Sequence, residues 1–309
     1  MKILHIGGRP FITFPLAMAQ RSEGHEVDLV YPDNWAGELL SPWFLDGIES
    51  LVSKEYSVIH FHRPLAVSLL GTSVEQRLDA LKNLSRKSKL FYSSYDDFES
   101  VWDPLGSGPE IRKSFSHIFL GSTKHSKLLE NADRVSWCSI AVAVEEIPAP
   151  PIEEPTPHSL KVLYIAKSPV SEEASFINGV FNKLKKKQLK FENLIFHATE
   201  IRNLGGLTKL MRNADLFVEE LGGYSFGSLA TLALAHGTSV LSGNTARDKQ
   251  CVPTLSYAPV LDTNAANFEQ RLEKIIKEPR SLRDLGKRSR TYAESYCDAR
   301  TACHKVTDI

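Results

Sequence analysis

The segment 215–243, DLFVEELGGYSFGSLATLALAHGTSVLSG, constrains the fold of this chain more than any other. A β-rich run (Leu216, Phe217, Val218) ends in two carboxylates, Glu219 and Glu220. A loop carrying Gly222, Gly223, Ser225 and Gly227 follows, then an apolar helix from Leu229 to Ala235. Gly237 and Thr238 stop that helix, and Val240 and Leu241 form a second strand. A glycine loop that opens a helix presents backbone N–H groups and the positive end of the helix dipole, a ready arrangement for phosphate.

The rest of the chain repeats this alternation of strand and helix, which predicts parallel sheets with helices on both faces. In the first half, strands are expected at Met1 to Ile6, Glu26 to Val30, Val58 to His62, Lys89 to Ser93, His117 to Leu120 and Val135 to Cys138. Gly7 to Pro10 reads as a loop, with helices at Phe14 to Gly24, around Leu65 to Leu70, and at Ser122 to Leu129 behind a hydroxyl cap. Residues 147–158, IPAPPIEEPTPH, hold five prolines, which lack backbone donors and fix φ, so they read as an extended linker. Beyond it, strands are expected at Val162 to Ile165 and Leu194 to His197, and helices at Ser175 to Lys187 and Leu207 to Asn213. Leu282 to Ile309 reads as two helices with a bend near Ser295 to Asp298.

At 309 residues the chain is long enough for two domains, placed at 1–146 and 159–295. Its 37 basic and 37 acidic residues cancel, so no global field draws nucleic acid or anionic lipid. The basic run from Lys183 to Lys190 reads as a solvated helix end. No apolar run approaches the length of a membrane span. The opening MKILHIGG is too short for a signal-peptide core and reads as a strand. Cys138, Cys251, Cys297 and Cys303 are scattered without a C-x-x-C pair, as in a reduced, cytoplasmic protein.

The unit at 215–243 resembles the nucleotide-sugar donor motif of GT-B glycosyltransferases. It is most similar to that of family 4 (glycosyl transferases group 1), whose Ala-Met-Ala-x-Gly-x-Pro-Val ending reads here Ala233-Leu234-Ala235-His236-Gly237-Thr238-Ser239-Val240. The resemblance implies an α/β fold of the GT-B type, with two Rossmann-like domains facing each other across a cleft. It also implies a C-terminal helix, about 296–309, that packs back onto the first domain. The activity implied is that of a hexosyl- or other glycosyltransferase, which moves a sugar from a nucleotide diphosphate sugar to an acceptor with retained configuration. No metal and no cofactor beyond the donor substrate are implied. The donor motif is degenerate. The family's two glutamates, separated by seven residues, fall on Tyr224 and Leu232, leaving Glu219 and Glu220 upstream as the available carboxylates. The family's Arg and Lys in the loop after the first strand of the donor domain fall on Pro169 and Glu172, leaving Lys167 as the nearby cation.

On the donor side the candidates are therefore Glu219, Glu220, Gly222, Gly223, Tyr224, Ser225, Phe226, Gly227 and Ser228, with Lys167 and Arg202 as cations for the diphosphate. On the acceptor side they are Gly7, Gly8 and Arg9 in the first loop, and Tyr95 and Asp96 after the strand at 89–93. In that second place the family's His-Gly-Ser-Asp-Ile-Arg keeps only its Asp, as Asp96. Asp96, Glu219 and Lys167 are the candidate catalytic residues. Arg9, Asp96 and Lys167 each have a plainer reading, as an exposed turn arginine, an Asp-rich turn or helix cap, and a solvated lysine. Gly7-Gly8-Arg9-Pro10-Phe11 lacks the G-x-G-x-x-G spacing, so a dinucleotide fingerprint is not supported. His60 and His62 alternate on one strand and share a face, as metal ligands do, but no third ligand is evident in sequence. Two rival functions remain: an inactive GT-B-like protein that binds a glycan or a partner glycosyltransferase, and a glycosyltransferase acting on modified DNA bases. The acceptor (glycan, protein or modified base), the donor sugar and the oligomeric state are not legible.

Overall fold

The computed structural model describes residues 1–7, 10–30, 55–62, 67, 70, 71, 73–94, 111, 113–121, 134–138, 140–148, 159–166, 171–197, 204–219, 221, 227–243 and 252–308. In chain order the first elements are β1 (Lys2–Gly7), α1 (Pro10–Ser22), β2 (Glu26–Val30), β3 (Val58–His62), α2 (Val74–Ser85), β4 (Lys89–Ser94), β5 (His117–Leu120) and β6 (Val135–Trp137). Then come β7 (Leu160–Ala166), α3 (Glu172–Lys186), β8 (Phe191–His197), α4 (Leu204–Arg212), β9 (Leu216–Val218), α5 (Ser228–Ala235), β10 (Ser239–Ser242) and β11 (Val260–Asp262). The last three are α6 (Phe268–Lys277), α7 (Arg280–Tyr296) and α8 (Ala299–Thr307). These elements form two compact units, Met1–Ala143 with Asp298–Ile309, and Val144–Cys297.

The first unit is built on a parallel sheet of order β2-β1-β3-β4-β5-β6. Every residue of β3 is buried, as expected of a strand covered on both faces. Leu4, Ile6, Ile59, Phe61, Leu90 and Tyr92 pack on one face with Leu81 of α2 and Phe115. Ile3, Val27, Val58, Phe91 and Phe119 pack on the other, against Leu16 and Ala17 of α1 and Ala302, Cys303 and Val306 of α8. The last helix thus completes the core of the first unit, and the Ala299 N–H donates to the Val142 carbonyl at 2.9 Å to fix its start.

The second unit holds a parallel sheet of order β11-β10-β9-β7-β8. Leu160, Val162 and Tyr164 pack with Ile177, Phe181 and Leu184 of α3 and Phe268, Leu272 and Ile276 of α6. α5 is apolar nearly all round and buried from Ala230 to Ala235, as a helix of that composition must be. It ends in a Schellman turn. Gly237 takes a φ of 73°, its N–H donates to Leu234, and the Thr238 N–H donates to Ala233. Arg290 of α7 closes this end: its guanidinium donates to the carbonyls of Ala235 (2.7 Å), Ile147 (2.9 Å) and Val144 (3.0 Å). Ile147, the first residue of the expected linker, is buried and held by that contact. Residues 149–158 lie outside the described residues.

Several boundaries differ from the sequence reading for identifiable reasons. α1 starts at Pro10, four residues before Phe14, because proline at the first helical position has its φ preset and no amide to leave unpaired. α2 has no counterpart in that reading. Its start is a capping box, with the Gln76 N–H donating to Ser73 Oγ and the Ser73 N–H donating to the Gln76 side chain, both at 3.2 Å. β11 and α6 are likewise additions. The basic run read as a solvated helix end finds partners on α6: Lys183 and Lys187 lie 2.7 and 3.0 Å from Glu269, and Lys187 lies 2.7 Å from Glu273. The helix expected at 122–129 lies outside the described residues. Among the described residues Cys138, Cys297 and Cys303 are buried and form no disulfide, and no helix is long and apolar enough to cross a membrane.

Packing between α7 and the end of α5 leaves no room for one methyl group. A Cβ on Gly286 would press into the Gly237 carbonyl oxygen. In an exposed helix, Gly→Ala stabilises by about 1 kcal/mol. Here overpacking against backbone reverses the sign, and Gly286→Ala is expected to cost about 1–3 kcal/mol. Urea denaturation measures it; a variant at least as stable as the parent contradicts the close approach.

Candidate functional site

In an open parallel sheet, ligands bind at the carboxyl ends of strands where the order reverses, because successive connections leave there toward opposite faces. Both sheets carry such a point. In the first, β2 lies on one side of β1 and β3 on the other. In the second, β8 lies on one side of β7 and β9 on the other. The carboxyl end of β9 is Val218, so Glu219 stands at the second reversal. Its N–H donates to the Leu241 carbonyl at 2.9 Å, which extends the β9–β10 ladder by one residue and fixes the direction of its side chain.

The Glu219 carboxylate lies over the start of α5. Gly227 is the N-cap of that helix, in extended backbone with φ −83° and ψ −165°. A Cβ placed on Gly227 would come 3.3 Å from Glu219 Oε1. Glycine therefore makes room for the carboxylate at the positive end of the helix dipole. Gly227 supplies no side-chain cap to the first turn, in contrast to Ser73 at α2, Ser171 at α3 and Asp298 at α8. Its carbonyl accepts from both the N–H and the hydroxyl of Thr231 at 3.0 Å.

A neighbouring contact engages the acidic first turn of α3. Glu173 in the first turn of α3 accepts from the Leu221 N–H at 3.0 Å, tying the chain just past Glu219 to α3. Glu172 beside it also sits in that first turn, where carboxylates are favoured by the helix dipole. Thus one of the two positions where the family pattern has a cation is taken by a helix-start acid.

Of the candidate residues, the structure brings Glu219, Gly227 and Ser228 together at one corner of the second sheet. Gly7 ends β1 at the first reversal. It is buried and takes a φ of 74°, so glycine is favoured where the strand turns toward α1. Gly8, Arg9, Tyr95, Asp96, Lys167, Arg202, Glu220, Gly222, Gly223, Tyr224, Ser225 and Phe226 lie outside the described residues. Lys167 follows directly on β7, and Tyr95 and Asp96 directly on β4.

The sequence reading missed a third histidine. His5 of β1 pairs in register with His60 of β3, so His5, His60 and His62 share one face of the first sheet, all fully buried. His5 and His62 are joined through Nδ1 and Nε2 at 2.8 Å; His5 Nε2 meets Gln20 Oε1 at 2.6 Å, and His60 Nε2 meets Ser93 Oγ at 2.7 Å. Burial lowers all three pKa values, that of His5 to about 4, so the rings are neutral.

No family profile and no curated protein sequence matches this chain. Solved structures match it over its whole length. Anabaena HepE (Alr3699), solved with UDP-glucose, is 13% identical with a TM-score of 0.67, over 100% of this chain and 98% of that one. The chain has the GT-B fold. An α-glucosyltransferase solved with UDP and a 13-mer DNA containing an HMU base is 10% identical, with a TM-score of 0.65 and the same coverage. Sucrose-phosphate synthase from Thermosynechococcus elongatus is 13% identical with a TM-score of 0.62, again over 100% and 98%.

His236, between Ala235 and Gly237 in the donor-like motif, gives this unit a pH dependence. It is buried, and burial first, then Arg212 and Arg290, lowers its pKa from 6.5 to about 4. The unfolded chain takes up this proton at higher pH than the folded one. The stability conferred by the neutral ring is therefore present above 6.5 and lost as pH falls toward 4. His236→Asn is neutral throughout. Between about pH 7 and pH 4.5 the parent is expected to lose about 2–3 kcal/mol more stability than this variant. Parallel urea titrations of the two proteins contradict this if the gap does not change with pH.

Proposed function

We propose that this chain is a glycosyltransferase that takes a sugar from a nucleoside diphosphate sugar, a UDP-sugar foremost, and passes it to an acceptor hydroxyl. The observation that carries this reading is the Glu219 carboxylate at the strand-order reversal of the second sheet, set against the glycine start of α5. A diphosphate sugar needs both halves of that arrangement. Its phosphates need N–H donors and positive potential, which the first turn of α5 supplies. Its ribose or sugar hydroxyls need a fixed acceptor, which Glu219 supplies. The GT-B neighbours solved with UDP-glucose or UDP support the choice of donor.

In this reading Lys167, the residue after β7, neutralises the departing diphosphate, and Arg202 assists. Glu220 and the loop Gly222 to Phe226 enclose the nucleotide. Arg9, beyond the end of β1, and Tyr95 and Asp96, beyond the end of β4, serve the acceptor. Transfer proceeds with retention and without a metal at the donor, as the family resemblance implies. The two domains are 1–146, completed by the C-terminal helix, and 159–295, joined through the proline-rich segment. The protein works in the cytoplasm. Retention of the glycine start of α5 favours a working site over an inactive descendant, because backbone contacts survive side-chain change.

Binding is tested first. A nucleoside diphosphate that binds only the folded chain raises its Tm. Millimolar UDP is expected to shift the melting curve and Glu219→Gln to reduce the shift. The same variant is expected to lose about 2–5 kcal/mol of donor-dependent transition-state stabilisation, the usual cost of removing one partner of a buried charged hydrogen bond. Curves unmoved by UDP, GDP and ADP alike count against the site, and full activity in Glu219→Gln moves the carboxylate's role to Glu220.

Turnover is tested at Lys167. Lys167→Ala is expected to lower kcat about 10²- to 10³-fold, as loss of one transition-state donor does. Affinity for the intact donor falls less, because charge builds as the bond breaks. A parent protein that neither transfers nor hydrolyses any sugar of a UDP, GDP, ADP and CMP panel identifies the inactive form. The neighbour solved on DNA favours one specific second acceptor, a modified base. Zero net charge disfavours it, and steep salt dependence of DNA binding distinguishes it.

A further inference from the structure

We propose that His5, His60 and His62 bind a divalent transition metal, of the zinc class, inside the first sheet. The three imidazoles come from two neighbouring strands. His5 lies opposite His60 in the β1–β3 register and His62 lies two residues further on, so all three project to one face. One ring nitrogen from each falls within 4.8 Å of the others, and all three side chains are fully buried. Four-coordinate zinc with bonds of about 2.1 Å places its ligand nitrogens about 3.4 Å apart. That spacing lies above the 2.8 Å separation of His5 Nδ1 and His62 Nε2 and below the 4.8 Å within which the three rings bring a nitrogen each.

The hydrogen bonds select the ligand atoms. His5 Nε2 is engaged by Gln20 Oε1, which leaves His5 Nδ1 to ligate. His60 Nε2 is engaged by Ser93 Oγ, and its Nδ1 is buried with no hydrogen-bond partner among the described residues. His62 Nε2 already points at His5 Nδ1. Gln20 and Ser93 thus stand where the outer partners of metal-bound histidines stand, fixing ring orientation and tautomer. A buried ring nitrogen with no partner is costly, and a metal satisfies it where an apolar neighbour does not. Neutral imidazoles are also the form that ligates, so binding need not displace protons. Three imidazoles without thiolate or carboxylate suit zinc, cobalt, nickel or copper, and not magnesium or calcium. The site joins β1 to β3 beneath α1 and lies in the first unit, so its loading is read in the stability of that unit.

The test uses the full chain unfolded and refolded with Zn²⁺ or Co²⁺, because a buried site loads during folding, and then dialysed against metal-free buffer. The expected result is one metal per chain by elemental analysis, a raised Tm, and visible absorption of four-coordinate Co²⁺. His60→Gln and His62→Gln are expected to retain no metal and show no rise, while His304→Gln, at an exposed position, retains both. A parent protein with no bound metal and an unmoved Tm overturns the proposal. So does a His60→Gln variant that binds as the parent does. If the His60 and His62 variants do not fold, the parent's cobalt spectrum decides the question alone, since surface histidines do not give the four-coordinate band. None of these readouts involves a nucleotide sugar, so failure here leaves the donor site unaffected and the reverse.

Discussion

Both sheets are parallel, and a parallel sheet must be covered on both faces. The rest of the structure follows from that requirement. It explains why β3 has no exposed residue and why α5, pressed between β10 and α7, is apolar on nearly every side. It also removes most of each strand from any role in chemistry. Binding of a nucleotide-sized ligand falls at the carboxyl ends, where the chain leaves the sheet and backbone groups regain access to ligands. Glu219 is such a residue. It belongs to the last rung of the β9–β10 ladder through its own amide, and its carboxylate rests on the first turn of the next helix.

The same requirement makes the three histidines conspicuous. A strand buried on both faces is ordinarily a run of Val, Ile, Leu and Phe, and β3 reads Val-Ile-His-Phe-His. Polar rings in that setting need partners, and the residues around them supply two: Gln20 reaches down from α1 to His5 and Ser93 across from β4 to His60. The donor-like unit shows a comparable tightness in backbone form. The Schellman turn at Gly237, the missing side chain at Gly286 and the Arg290 guanidinium converge on the end of α5. Movement of that helix would disturb all three.

Much of this was legible in sequence, and the failures are specific. Strands of the first sheet were readable because apolar runs of four to six residues stop at polar or glycine signals. β3 and β5 fall at the expected residues, and β9 lies where the donor-like motif puts it. α2 was missed because its surface is largely polar, although Ser73 and Gln76 form a readable capping box. α6 was missed despite a clear helical period in Phe268, Leu272, Ile275 and Ile276. His5 could not be joined to His60 and His62 from sequence, since their meeting depends on a register set across 55 residues by long-range pairing. The approach of Glu219 to Gly227 lies within one motif, yet it needed the positions of the β9 end and the α5 start to become visible. Local signals are written in the chain; pairings between distant segments are properties of the packed whole.

The first unit is discontinuous in sequence: Met1–Ala143 is completed by Asp298–Ile309. α8 carries Ala302, Cys303 and Val306 into the core that Ile3, Leu16 and Val58 begin. During synthesis, therefore, the sheet of this unit waits for a helix that is made about 150 residues later. About 150 residues separate Ala143 from the helix that covers its sheet, which at ~5–20 residues per second is a delay on the order of 10–30 s. Throughout that interval one face of a six-stranded sheet lacks part of its cover. The second unit, continuous from Val144 to Cys297, has no such wait, so the order of maturation reverses the order of translation.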